Sequence, residues 1–76
     1  MTINFDSVLD VRHEDSPIPT IRTKETLDTL PLGSVLKVIA GKESTVRNIR
    51  TLVANNPFTL LQEQKTAEEF VFFIQK

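Results

Sequence analysis

The segment that most constrains this chain is its last apolar run, Glu69 to Gln75, which reads EFVFFIQ. Successive side chains of a strand point to opposite faces. Phe70, Phe72 and Ile74 therefore line one face and Val71 and Phe73 the other. A strand that is apolar on both sides belongs in the interior of a sheet, because an edge or a solvated face would leave half of it in water. The rest of the chain must then supply neighbouring strands and something to cover them. The short Lys65–Glu68 turn joins this strand to a preceding one, Phe58 to Gln64, in a C-terminal hairpin.

Upstream, Val35 to Ala40 (VLKVIA) is a nearly continuous apolar run, as expected of an interior strand covered on at least one face. Phe5 to Val11 alternates, with Phe5, Leu9 and Val11 on one side and Asp6, Val8 and Asp10 on the other, and reads as a first strand. Two helical patterns separate these strands. The first runs from Pro17 to about Thr29, with Thr20, Thr23, Leu27 and Leu30 on a weakly apolar stripe and Ile18 and Ile21 away from it. Ser16 is placed to cap it, and Pro17 suits the first helical position, where its missing N–H costs nothing. The second helix, Thr45 to Asn55, follows a possible cap at Ser44. It carries Val46, Ile49 and Val53 on one stripe beside Leu52, and ends at Asn55-Asn56-Pro57. Pro31-Leu32-Gly33-Ser34 is the turn between the first helix and the second strand.

The order is β-α-β-α-β-β. It predicts an α/β (α+β) two-layer sandwich, a four-stranded mixed sheet with two helices on one face. At 76 residues the chain reads as a single domain over residues 1–76, and a domain of this size buries only about 60% of the surface its unfolded chain exposes. With no Cys it has no disulfide or thiolate zinc site to staple the fold. His13 is its one histidine, so neither a metal site nor a bound cofactor is expected. A net charge of -1, with no Lys/Arg run, argues against nucleic acid as a partner. Met1 to Asp10 shows no basic leader with an apolar core. No stretch reaches the roughly 20 apolar residues a bilayer requires. A cytoplasmic protein with no membrane contact is the expectation.

The stretch Leu9-Asp10-Val11-Arg12-His13-Glu14-Asp15-Ser16-Pro17-Ile18-Pro19 resembles the signature of the TusA/SirA-like sulfur-carrier family. Members of that family read roughly Leu-Asp-x-Arg-Gly-Leu-x-Cys-Pro-x-Pro, followed by a helix with a basic residue or two. Leu32-Gly33-Ser34-Val35-Leu36-Lys37-Val38 looks like the family's second strand and the Gly turn before it. In the family, the cysteine accepts a persulfide sulfur from a desulfurase and hands it on. The resemblance places that residue at Ser16, whose hydroxyl cannot form a persulfide. The family's Gly-Leu pair is His13-Glu14 here, and Asp15 precedes Ser16. Negative charge at those positions is expected to raise the pKa of a thiol held at position 16. Whether the chain is an enzyme of the sulfurtransferase kind turns on that position.

Three readings follow. The first is a domain that has lost sulfur transfer and keeps a docking surface for a protein partner, formed by Arg12, His13, Ser16, Pro17, Ile18, Pro19, Ile21, Arg22 and Lys24. The second is a working sulfur carrier represented by a Cys-to-Ser variant at position 16. The third, by analogy of fold alone, is an RNA-binding module. Ser16 could also act as a nucleophile if His13 reached it.

Overall fold

The computed structural model describes residues 3–76; Met1 and Thr2 of the N-terminal stretch lie outside the described residues. Its elements are β1 (Ser7–Asp10), α1 (Ile18–Thr29), β2 (Val35–Ala40), α2 (Glu43–Asn55), β3 (Thr59–Lys65) and β4 (Phe70–Gln75). The strands form one mixed sheet in the order β1-β2-β4-β3. β1 runs parallel to β2, and β4 is antiparallel to both of its neighbours. The doubly apolar strand is thus interior, as its alternation demands, with Leu36 paired to Ile74 on one side and Leu60 paired to Ile74 on the other.

Leu36, Val38 and Ala40 of β2 and Phe72 and Ile74 of β4 point into one core with Leu9 and Val11, under Leu27 of α1 and Ile49 of α2. Each of these is buried, and burying a side chain of this kind contributes about 1.5–3 kcal/mol. The helices cover one face only. On the other face Val71 and Phe73 are still buried. Phe5 covers Phe73, with ring centroids 6.1 Å apart, and the Lys37 ammonium lies 5.1 Å from the Phe5 centroid.

That contact corrects the expected facing of Phe5, which the alternation put with Leu9 and Val11. The strand begins only at Ser7. Just before it, the Asp6 backbone N–H donates to the Val35 carbonyl, and the Asp6 carboxylate accepts from the Val35 N–H. The alternation therefore does not extend back through Asp6, and Phe5 lies on the helix-free face.

Other boundaries shift by a residue or two. α1 begins at Ile18 rather than Pro17, and α2 at Glu43 with Lys42, not Ser44, in the capping position. Glu43 in the first turn favours the helix dipole. β3 carries a bulge between Leu60 and Gln62, which turns Leu61 outward. Gly33 sits at φ 91°, a conformation in which a Cβ is strained. Gly41 is needed for a different reason: a Cβ there would lie 2.8 Å from the Arg12 carbonyl oxygen.

Candidate functional site

The signature residues gather where β1 ends and α1 begins. Leu9 and Val11 are buried, so the alternation sends Asp10 and Arg12 outward together. Arg12 Nε donates to Asp10 Oδ1 at 3.0 Å, its second terminal nitrogen donates to Oδ2 at 2.8 Å, and the remaining one reaches Glu69 at 3.1 Å. These side-chain bonds, helped by the Arg12 backbone N–H, hold the Asp10 carboxyl down at about 2. The Arg12 guanidinium is pushed further up by the same partners. Arg12 thus clips the end of β1 to the start of β4 and is not a free cation.

Ser16 does not cap α1. Pro17 occupies the capping position, the Ser16–Pro17 peptide is cis, and no side chain bonds the first turn. The helix has less to cap than the sequence suggests. The Ile18 N–H donates to the Asp15 carbonyl at 3.0 Å, and Pro19 has no N–H to satisfy. The Ser16 hydroxyl instead accepts a hydrogen bond from Asn48 Nδ2 of α2 at 3.1 Å. His13 is exposed and makes no side-chain hydrogen bond among the described residues, so no Ser–His pair is assembled.

The remaining candidates sort by charge and exposure. Arg22 pairs with Glu14, and Lys24 with Asp28 at 2.8 Å. Asp15 pairs with Lys42 from the loop before α2. The acidic residues before Ser16 therefore have cationic partners, which offsets the negative charge expected from them at this position. Pro19 is buried in the core, whereas Ile18 and Ile21 are 44% and 48% exposed and form an apolar pair on the outer face of α1. A shallow groove of about 420 Å³ runs between the helices, lined by Ser16, Thr20, Asn48, Thr51, Leu52 and Asn55 and by neither isoleucine. No charged side chain lines it. Thr20 Oγ1 is buried there without a partner among the described residues.

Asn48 is the site residue that sequence reasoning misses. Hydrophobic periodicity marks Val46, Ile49 and Val53, but the seam of α2 that faces α1 is partly polar. Thr45, Asn48, Leu52 and Asn55 recur at the spacing of one helix face, and only Leu52 among them carries an apolar signal.

The geometry defines a class before it defines a family: a two-layer sandwich with its signature at the start of the first helix. A solved SirA-like protein from Desulfitobacterium hafniense has this fold, with a TM-score of 0.80 over 92% of this chain and 96% of its own, at 19% identity. The family described as sulfurtransferase TusA matches residues 7–76. The sulfur carrier protein TusA of Pseudomonas putida (strain GB-1) is 35% identical over 71 residues, covering 93% of this chain and 89% of that protein. TusA of Allochromatium vinosum is 30% identical over 73 residues, covering 96% of each. The chain belongs to the TusA sulfurtransferase family. Its described helices include none long and apolar enough to cross a membrane.

Proposed function

We propose that this chain is a TusA-family domain that does not carry sulfur and acts by binding a protein partner through the surface at the start of α1. One observation carries the reading. The position that the resemblance gives to the sulfur-bearing cysteine holds Ser16, its hydroxyl is occupied by Asn48, and the apolar pair Ile18 and Ile21 stands exposed beside it. A hydroxyl has neither the acidity nor the nucleophilicity of a thiol, so it forms no persulfide. An exposed apolar pair is suited to burial against another protein. Arg12, Arg22 and Lys24 contribute less to that surface than their charges suggest, since each already has an acidic partner. The same pairing, with the net charge of -1, leaves RNA binding without support.

The test is sulfur loading. The protein is incubated with a small-molecule persulfide donor and its intact mass is recorded. The chain as it stands gains no sulfur, and Ser16→Cys gains one. Uptake by the unsubstituted protein overturns the proposal. For the docking half, the Ile18→Ala/Ile21→Ala variant loses a partner that the unsubstituted chain retains in co-purification. Retention of the same partner by the double variant removes Ile18 and Ile21 from the interface.

A further inference from the structure

On the far side of α2 from Ser16, a second cleft of about 320 Å³ lies between that helix and the β3–β4 hairpin. We infer that it binds a small organic anion with a flat apolar body. Val46 and Phe70 supply apolar surface, and Arg47, Arg50 and Lys65 supply positive charge; Glu43 and Glu63 complete the lining. The volume falls at the low end of the roughly 300–1,000 Å³ of small-molecule sites.

The charges are arranged for an anion. Glu63 is spent on Arg50: Arg50 Nε donates to Glu63 Oε1 at 2.9 Å, and a terminal nitrogen donates to Oε2. That bidentate pair fixes the guanidinium plane and leaves its other N–H groups unassigned. Each partner stabilises the charged form of the other, so Glu63 is held below the usual carboxylate range. Arg47 makes no ion pair or side-chain hydrogen bond among the described residues. The Lys65 ammonium stands 5.7 Å from the Phe70 ring centroid, with no carboxylate partner among the described residues.

Elsewhere, Arg12, Arg22, Lys24 and Lys42 each meet an acidic side chain, Lys37 lies over the Phe5 and Phe73 rings, and Lys76 donates to the Asp28 carbonyl. Two uncommitted cations and a fixed third, all lining one cleft with an aromatic ring, match one carboxylate or phosphate monoester attached to a flat ring. Glu43 leaves the cleft only one positive charge in excess, which disfavours ligands with several anionic groups. This site does not depend on Ser16 or on the docking surface of α1.

The probes are phenyl phosphate, benzoate, inorganic phosphate and benzyl alcohol, each titrated into the isotope-labelled protein while backbone amide signals are followed. Phenyl phosphate or benzoate, and whichever binds tighter names the anionic group, gives saturable shifts confined to residues 43–50 and 63–70. The dissociation constant is about millimolar, as expected of a ligand this small. Inorganic phosphate, which lacks the ring, and benzyl alcohol, which lacks the charge, bind at least several-fold more weakly. Arg47→Ala and Lys65→Ala each weaken binding about tenfold. Both side chains are exposed, and the unchanged remainder of the spectrum confirms the fold; Arg47→Gln is the second variant should Arg47→Ala disturb it. The inference is overturned by shifts that never saturate, by equal binding of benzyl alcohol, or by affinity that survives both cation substitutions.

Discussion

Helix α2 buries Val46 and Ile49 over the sheet, and Leu52 with Thr45 along its seam with α1. Helix α1 covers the same sheet with Pro19, Thr23 and Leu27, of which only Leu27 is a large aliphatic side chain. The lining of its seam is partly hydroxyl. Thr23 Oγ1 donates back to the Pro19 carbonyl at 2.7 Å, while Thr20 Oγ1 is buried without a partner. α2 therefore buries more large aliphatic surface than α1, whose buried Thr23 bonds within its own helix.

The largest test of that contrast is Ile49→Ala. Ile49 is fully buried, and its truncation is expected to cost about 2–5 kcal/mol in denaturant unfolding. A domain of this size has only about 4–11 kcal/mol in hand, so the variant should sit near its folding limit. A cost below about 1 kcal/mol would mean that α2 is not the anchor. A smaller effect, with opposite signs at two neighbouring positions, is expected on α1. Thr23→Val removes a satisfied buried hydroxyl and should cost about 1 kcal/mol, whereas Thr20→Val removes an unsatisfied one and should gain up to about 1 kcal/mol. Equal effects would break the hydrogen-bonding account of this seam.

The smallest effect concerns the Arg12 clip in front of α1. Asp10 is held at about 2, below the ordinary aspartate value of about 3.9. Its contribution is present in full above the unfolded value and is lost as the pH falls from about 4 to about 2. Thermal midpoints should drop through that window, and Arg12→Ala should flatten the drop there while leaving the rest of the profile alone. The pair is exposed, so the change is small.

Much of the architecture was legible. Apolar residues on both faces of Phe70–Ile74 required an interior strand, and the periodicity of Val46 and Ile49 identified the buried stripe of α2. Lys24 and Asp28 stand four apart on a helix, a spacing that announces their ion pair. The pairings of Glu14 with Arg22 and of Asp15 with Lys42 join segments that only the tertiary fold brings together. The capping role of Ser16 failed for a local reason. With Pro17 in the capping position and Pro19 lacking an N–H, the hydroxyl is free to meet Asn48, a residue whose polarity hides it from any search for apolar stripes.

The sheet order also bears on how the protein is made. β4 is the last of the four strands to be synthesised, yet it lies between β2 and β3 and, among the described residues, is the only strand paired with β3. While the ribosome still holds those residues, the chain can form at most the parallel β1–β2 pair with its helices, and the edge of β2 that pairs with β4 stays open. Completion must wait until β4 has emerged, when the most apolar stretch of the chain inserts between β2 and β3. Until then the nascent protein presents an open strand edge of the kind that chaperones shield and neighbouring chains can capture.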